Sequence, residues 1–402
     1  MAVPMKSCSS SSPERSEESI AGGPLTGVRV VEFAGIGPGP FCGMMLADMG
    51  AQILRIDRTG GDWPPPIDPA CDFTARGRRS IAIDLKKPGA AALVLELMDT
   101  ADVLIEGFRP GVMEEIGLGP DTCLARNPRL VYGRMTGWGQ SGPLARAAGH
   151  DLNYIALSGV LHAIGPPDRP PSVPLNLIGD YGGGGLMLAY GIVCALLHAR
   201  ASGRGQVIDA AMTDGAALLA TQIYSMHAAR QWSTQRGANL LDGGAHFYRC
   251  YRCADGRFIA LGAIEPQFHA LLLEKLGVED AAQWQQFDPA RWPEYHERLE
   301  AIFATRTRPQ WCEQLEGSDV CFAPVLDFEE APRHEHNRAR GTFIERKGGA
   351  QPAPAPRLSL TPPSPGPPAP QRGEHTLDIL REVGVAQERI DALLAAGVIA
   401  LP

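Results

Sequence analysis

The sequence predicts an α/β protein, with a large Rossmann-like domain on a parallel sheet and a smaller α+β domain after it. Three observations carry that expectation. Val28 to Phe33 is a continuous apolar, β-branched run, the turn Gly35-Ile-Gly-Pro-Gly-Pro40 follows, and a helical stretch from Phe41 to Met49 leads to a second apolar run, Ala51 to Ile56. Together these make one βαβ unit, whose strands must lie parallel. Strand-length runs at Ser80 to Ile83, Val103 to Ile105 and Leu130 to Met135 then alternate with helical material, the pattern of helices covering a sheet. Beyond Leu241 the order changes, and Tyr248 to Gly262 alternates around Asp255-Gly256, a hairpin signal that does not belong to a βαβ series.

The remaining elements follow in chain order. Residues 1–24 are rich in serine and glutamate, with no apolar stretch for a signal peptide and acidic residues that disfavour a transit peptide. A disordered leader is expected there. The large domain spans residues 25–215. Within it a short helix, Leu152 to Leu157, precedes a loop broken by Pro166, Pro167, Pro170, Pro171 and Pro174. Four glycines at 182–185 open an apolar helix to about Ala201, and its most apolar part, Leu186 to Leu197, is shorter than a membrane span and reads as buried. Val207 to Ala210 is a short strand, and an apolar helix follows Asp214. Residues 216–240 form a linker helix into a small domain at 241–332, whose amphipathic helices are Phe268 to Leu276 and Pro293 to Ala304. Nine prolines between Pro352 and Pro370 mark residues 333–371 as a stiff connector. Residues 372–402 return to helical periodicity and must bury an apolar face on the first domain.

The 402 residues carry a net charge of −8 and are 44% hydrophobic. That balance excludes a general electrostatic grip on nucleic acid or anionic membrane. Nine cysteines are too few and too scattered for a disulfide scaffold, and Cys250-x2-Cys253 has no second pair at zinc spacing. A cytoplasmic, metal-free protein is expected. Gly35 and Gly37 match two positions of a dinucleotide fingerprint with Asp57 beyond, but Pro40 stands where the third glycine belongs. Some other nucleotide-like ligand at the strand ends fits better. The 182–185 glycines lack a following Gly-Lys-Ser/Thr, so they form no P-loop, and their use is close helix approach. His334 and His336 read as a solvated loop pair. Of ten histidines, only His150 stands out, between a small-residue loop and an aspartate at a helix N-terminus.

Several long segments, in order, resemble the α-methylacyl-CoA racemases of the family III CoA-transferase superfamily: Val28–Arg58, Arg76–Lys86 (RGRRSIAIDLK), Val103–Leu118, Ala148–Gly165 (AGHDLNYIALSGVLHAIG), Leu175–Gly185 (LNLIGDYGGGG), Gly203–Gly215, Gly262–Phe268 (GAIEPQF), and Gly373-Glu-His-Thr376 with DILREVG. The resemblance implies racemisation of 2-methyl-branched acyl-CoA thioesters without a cofactor, coenzyme A entering only as part of the substrate. It implies two bases, His150 and Asp180, with Glu265 pairing His150 and the backbone N–H of Asp151 holding the enolate oxygen. Such chemistry needs an acid/base group on each face of the α-carbon and a donor for the developing oxyanion. It further implies coenzyme A on the large domain, with Arg58 and Lys86 at phosphates, Ile83, Asp84, Leu85 and Lys86 along the adenosine, and Arg109 as a further cation. Gly149, Leu152, Asn153 and Tyr154 are implied as further substrate- or coenzyme A-binding residues. The family architecture is an interlocked homodimer, so self-association is expected, with no nucleic acid partner and no membrane span.

The chain departs from that pattern in its leader, in a long loop from Arg58 to Arg76 containing Trp63-Pro-Pro-Pro66, and at His246, where proline is usual. A CoA-transferase using Asp151 as nucleophile remains open on the residues alone, as does a catalytically silent acyl-CoA-binding protein. The paired bases are what separate these readings.

Overall fold

The computed structural model describes residues 22–61 and 67–402. Most of the expected leader and the Trp63–Pro66 stretch therefore lie outside the described residues. The large sheet is built from β1 (Arg29–Phe33), β2 (Gln52–Asp57), β3 (Arg78–Ile83), β4 (Val103–Glu106), β5 (Val131–Thr136) and β6 (Val207–Ala211). The small sheet comprises β7 (Tyr248–Arg252), β8 (Phe258–Gly262) and β9 (Phe322–Pro324), β10 (Phe343–Arg346) and β11 (Gly349–Pro352) pair as a hairpin, and β12 (Ile399–Ala400) returns to the large sheet. The large sheet runs β12-β3-β2-β1-β4-β5-β6, all parallel except β12. Its order reverses at β1 and β4, which opens a crevice outside their carboxyl ends.

Helices α1 (Pro38–Asp48), α2 (Ala90–Met98), α3 (Val112–Glu115), α4 (Pro120–Arg126) and α5 (Asp151–Leu157) belong to this region. They are followed by a π-helical segment, Leu177–Leu186, then α6 (Met187–Ser202), α7 (Met212–Leu219) and α8 (Thr221–Ala228). The small domain carries α9 (Pro266–Lys275), α10 (Trp292–Phe303) and α11 (Arg308–Leu315). After it come α12 (Glu335–Arg340), α13 (Thr376–Glu382) and α14 (Gln387–Ala395). The two faces of the sheet carry separate cores. One joins α2 and the C-terminal helices through Leu93, Leu97, Ile379, Leu380 and Ile390, and the other joins α1 and α6 through Cys42, Leu46, Leu188 and Ile192. A third core, around Phe247, Leu272, Leu299 and Phe303, belongs to the small domain.

Four differences from the sequence expectations have physical causes. Helix α1 starts at Pro38, three residues early, because proline suits the first helical position, where no N–H is needed. Strand β3 starts at Arg78, not Ser80, because the Arg78 guanidinium is fully buried, donating to Glu32 at 2.9 Å and to the carbonyls of Thr74, Arg76 and Pro40. Such a pair costs about 3–5 kcal/mol to break from one side. The residues expected to be an extended connector contain α12 and the β10–β11 hairpin before the prolines dominate. The rest lies along the large domain, Ser364 N–H donating to Asp48 O and Gly77 N–H to Pro367 O. Finally, the helical run begins at Leu177, before the four glycines and not after them. The helical run Leu177–Ser202 is 26 residues, long and apolar enough to cross a bilayer, yet half of its most apolar stretch is buried inside the protein. Leu188, Ile192, Ala195, Leu196 and Ala199 are its buried stripe, at the spacing of a core helix.

Candidate active site

The crevice is lined by what leaves the carboxyl ends of the parallel strands. Gly35 to Gly37 follow β1, Arg58 follows β2, Asp84 to Lys86 follow Ile83 at the end of β3, and Arg109 follows β4. Arg58, Lys86 and Arg109 are exposed, Asp84 and Leu85 are partly exposed, and Ile83 is buried beneath them. The Asp84 carboxylate accepts the Lys86 N–H at 3.0 Å, and its own N–H donates to Val398 O at 2.8 Å. The cationic positions implied for coenzyme A thus share one rim of the sheet.

His150 reaches this rim from β5 and caps α5 in extended backbone. Its N–H donates to Asn153 Oδ1 at 3.0 Å, and its side chain belongs to an exposed residue. Asp151, at the first helical position, is 5% exposed. Its Oδ2 accepts the Asp180 N–H at 2.7 Å, while Oδ1 is buried without a hydrogen-bond partner among the described residues. Tyr154 packs its ring against Trp138, edge to face at 4.7 Å, and donates its hydroxyl to Gly149 O. Gly149 is required there, because a Cβ would lie 2.7 Å from that ring. Leu152 and Asn153 are exposed on the same turn.

Asp180 is carried by the π-helical segment and is partly buried. Burial raises its pKa above the usual carboxylate range, and the Asp151 carboxylate adds to the rise. The amide of Asn176, donating to Oδ2 at 3.2 Å, and nearby His150 work against it. The same carboxylate, after burial, helps push the Tyr154 phenol up, with Arg109 opposing. His150, Asp151, Tyr154, Asp180 and Arg109 therefore share one electrostatic neighbourhood. Gly37 completes it, for its φ is 70° and a Cβ would stand 2.8 Å from Asp180 Oδ2. The glycines at 183–185 run so close to α1 and α7 that a Cβ would meet Ala216 N at 2.6 Å or Pro38 O at 2.7 Å. A stacked pair, Phe41 on Tyr181 at 4.4 Å, fixes the same contact.

Glu265 stands apart. It is the exposed residue preceding α9 in the small domain, near Cys321. Among the described residues, no hydrogen bond or ion pair joins it to His150 within one chain. Asn176 and Gly37 carried no signal in the sequence beyond their neighbourhoods, since only the fold brings the β1 turn to Asp180. Among the described residues no cluster of three His, Cys, Asp or Glu side chains could hold a metal ion, and His334 is engaged by Glu316 at 2.8 Å.

Exposed cations at the carboxyl edge of a parallel sheet, with His150 and Asp180 close by, make an arrangement suited to an anionic ligand. Residues 25–376 match CoA-transferase family III, and the chain belongs to that family. It is 50% identical to α-methylacyl-CoA racemase of Mus musculus over 368 residues, covering 91% of this chain and 95% of that one. Over the same length and shares it is 46% identical to α-methylacyl-CoA racemase of Homo sapiens. Among solved structures, a CaiB/BaiF family protein from Brucella suis superposes with a TM-score of 0.77 at 28% identity, covering 90% of this chain and all of that one.

Proposed function

We propose that the protein is a racemase that interconverts (R)- and (S)-2-methyl-branched acyl-CoA thioesters without a cofactor. The observation that carries this reading is the pairing at the start of α5. An exposed imidazole and a carboxyl of raised pKa lie together, while the carboxylate between them, Asp151, is turned inward against the Asp180 backbone. A transferase nucleophile must reach the thioester carbonyl, and buried Asp151 is poorly disposed to do so. Identity of about half the residues to the mouse racemase supports the same reading.

In the forward sense His150 removes the α-proton from one face of the thioester. The enolate oxygen is held by the N–H of Asp151, which opens the helix and has no intrahelical partner. Asp180, whose raised pKa favours its protonated form, returns a proton to the other face. The reverse direction exchanges the two roles. Arg58 and Lys86 meet coenzyme A phosphates, Ile83 to Lys86 follow the adenosine, and Arg109 adds a cation near Tyr154.

The functional unit in this reading is a homodimer. Tyr190, Val193 and Leu197, the last 72% exposed, form one apolar face of α6, and Leu218 and Tyr224 continue the exposure on α7 and α8. Burying such a face against a second copy is favourable, and it would let Glu265 of the partner subunit orient His150. Incubation with pure (R)-2-methylacyl-CoA in deuterium oxide tests the proposal. Epimerisation with α-deuterium uptake is expected. Carboxylate-dependent migration of coenzyme A without exchange would replace the racemase reading with the transferase one.

A further inference from the structure

The small domain holds Glu265 at a corner braced by buried polar groups that take no part in the chemistry above. The geometry points to His246, His269 and Gln286 as positioning residues for Glu265, an inference that rests on reading Glu265 as the partner of His150. Glu265 immediately precedes α9 and its carbonyl accepts the N–H groups of Phe268 and His269, each at 3.0 Å. His269 is thus one turn along the helix from the carboxylate that must be placed. Its imidazole Nε2 lies 2.9 Å from Nε2 of His246, so one ring donates and the other accepts.

His246 is fully buried and His269 is 5% exposed. The His246 ring is walled by Phe247, Trp284 and Tyr295, with centroids at 5.0, 5.4 and 5.0 Å. Among the described residues its Nδ1 has no partner and His269 is the one side chain that bonds the ring, inside a cage that restricts both imidazoles. The segment carrying His246 is tied to the approach to Glu265 a second time, by Ala263 N–H donating to Phe247 O at 3.0 Å. Gln286 closes the brace from the other side, its amide donating to Ala263 O at 3.0 Å and Ile264 O at 2.8 Å. Trp292 Nε1–H in turn anchors the Gln286 carbonyl at 2.7 Å. The two residues before Glu265 and the first turn after it are therefore fixed by side chains that never reach substrate. A carboxylate on an exposed corner is otherwise free to miss its imidazole, and a misplacement of about 1 Å can cost a hundredfold in rate.

The test reads the two half-reactions separately. Gln286→Met keeps the shape and removes two hydrogen bonds, and the double change His246→Phe with His269→Leu removes both partners of a buried bond, a replacement that proteins tolerate well. For each variant, α-deuterium exchange is measured on pure (R)- and pure (S)-2-methylacyl-CoA. Both variants are expected to slow exchange about tenfold on the enantiomer served by His150, to leave exchange on the one served by Asp180 unchanged, and to leave KM within about twofold. His246→Gln, which can still bond His269, should recover most of the loss. Equal slowing on both enantiomers, or no slowing, would overturn the positioning role. Glu265→Gln run alongside separates the layers. If it too slows both enantiomers equally, the assignment of Glu265 to His150 is what has failed.

Discussion

Two histidines of this protein, His150 and His246, sit in opposite surroundings. His150 caps a short helix on an open rim, among glycines, a phenol and two carboxylates. His246 is sealed in an aromatic cage with another histidine for its partner. The same side chain is left open to solvent in one place and locked in the other. Solvent access and the identity of the neighbour decide which, because an imidazole must exchange protons to act as a base and must not do so to act as a fixed strut. The contrast also divides labour. In the proposed mechanism the large domain supplies acid and base, and the small domain supplies rigidity.

Removing the reactive pair should have the largest effect. His150→Ala and Asp180→Ala are each expected to lower racemisation by about a hundred- to ten-thousand-fold with folding intact. Near-normal turnover in either variant, measured on a pure enantiomer, would dissolve the distinction between the two sites.

Gly37→Ala comes next. It forces an L side chain to a φ of 70° against the Asp180 carboxylate. A loss of about 1–2 kcal/mol in stability is expected, together with a fall in kcat from displaced Asp180. Chemical denaturation and steady-state kinetics check both.

The sealed pair makes its own demand. Burial lowers the His246 pKa to about 3 and that of His269 to about 4, both from 6.5. Each ring binds a proton more readily when unfolded, so stability is full above about pH 6.5 and is lost as pH falls from there toward 4 and 3. His246→Phe with His269→Leu should flatten that dependence in thermal unfolding between pH 7 and 4. An unchanged slope would mean that other groups control acid unfolding.

Smaller changes are expected at the coenzyme rim, where Arg58→Ala or Lys86→Ala should raise KM about tenfold while leaving kcat near normal, as the loss of one charge-assisted contact predicts. Least of all, Asp180→Asn should raise thermal stability slightly at neutral pH, since burial already disfavours the charged form. That gain should vanish in acid, where the native carboxyl is protonated too.

Much of the fold was legible in the sequence because the alternation of apolar runs, turns and helices is a local signal. The βαβ unit, the hairpin at Tyr248–Gly262 and the helix after His150 all come from spacing. Arg78 was not legible. An arginine in Arg76-Gly77-Arg78-Arg79 reads as surface, and it takes the Glu32 carboxylate, forty-six positions away, to make its burial tolerable. Asp180 could be named from its motif, but its Asn176 contact and the press of Gly37 depend on how the π-helical turns meet the β1 loop. The link from His246 to His269 was equally hidden, since each is an isolated histidine until α9 folds against the β7 approach.

The last strand has a bearing on how the molecule is made. β12 supplies the antiparallel edge beside β3, and residues 399–400 pair with Ala82 and Ile83 next to the rim that carries Asp84 to Lys86. On the ribosome β3 emerges more than three hundred residues before its neighbour. Its outer edge stays unpaired throughout that interval, and an unpaired edge invites mispairing with other chains. The large domain therefore cannot finish its sheet vectorially, and the β3 edge acquires its final partner only after the small domain has been made.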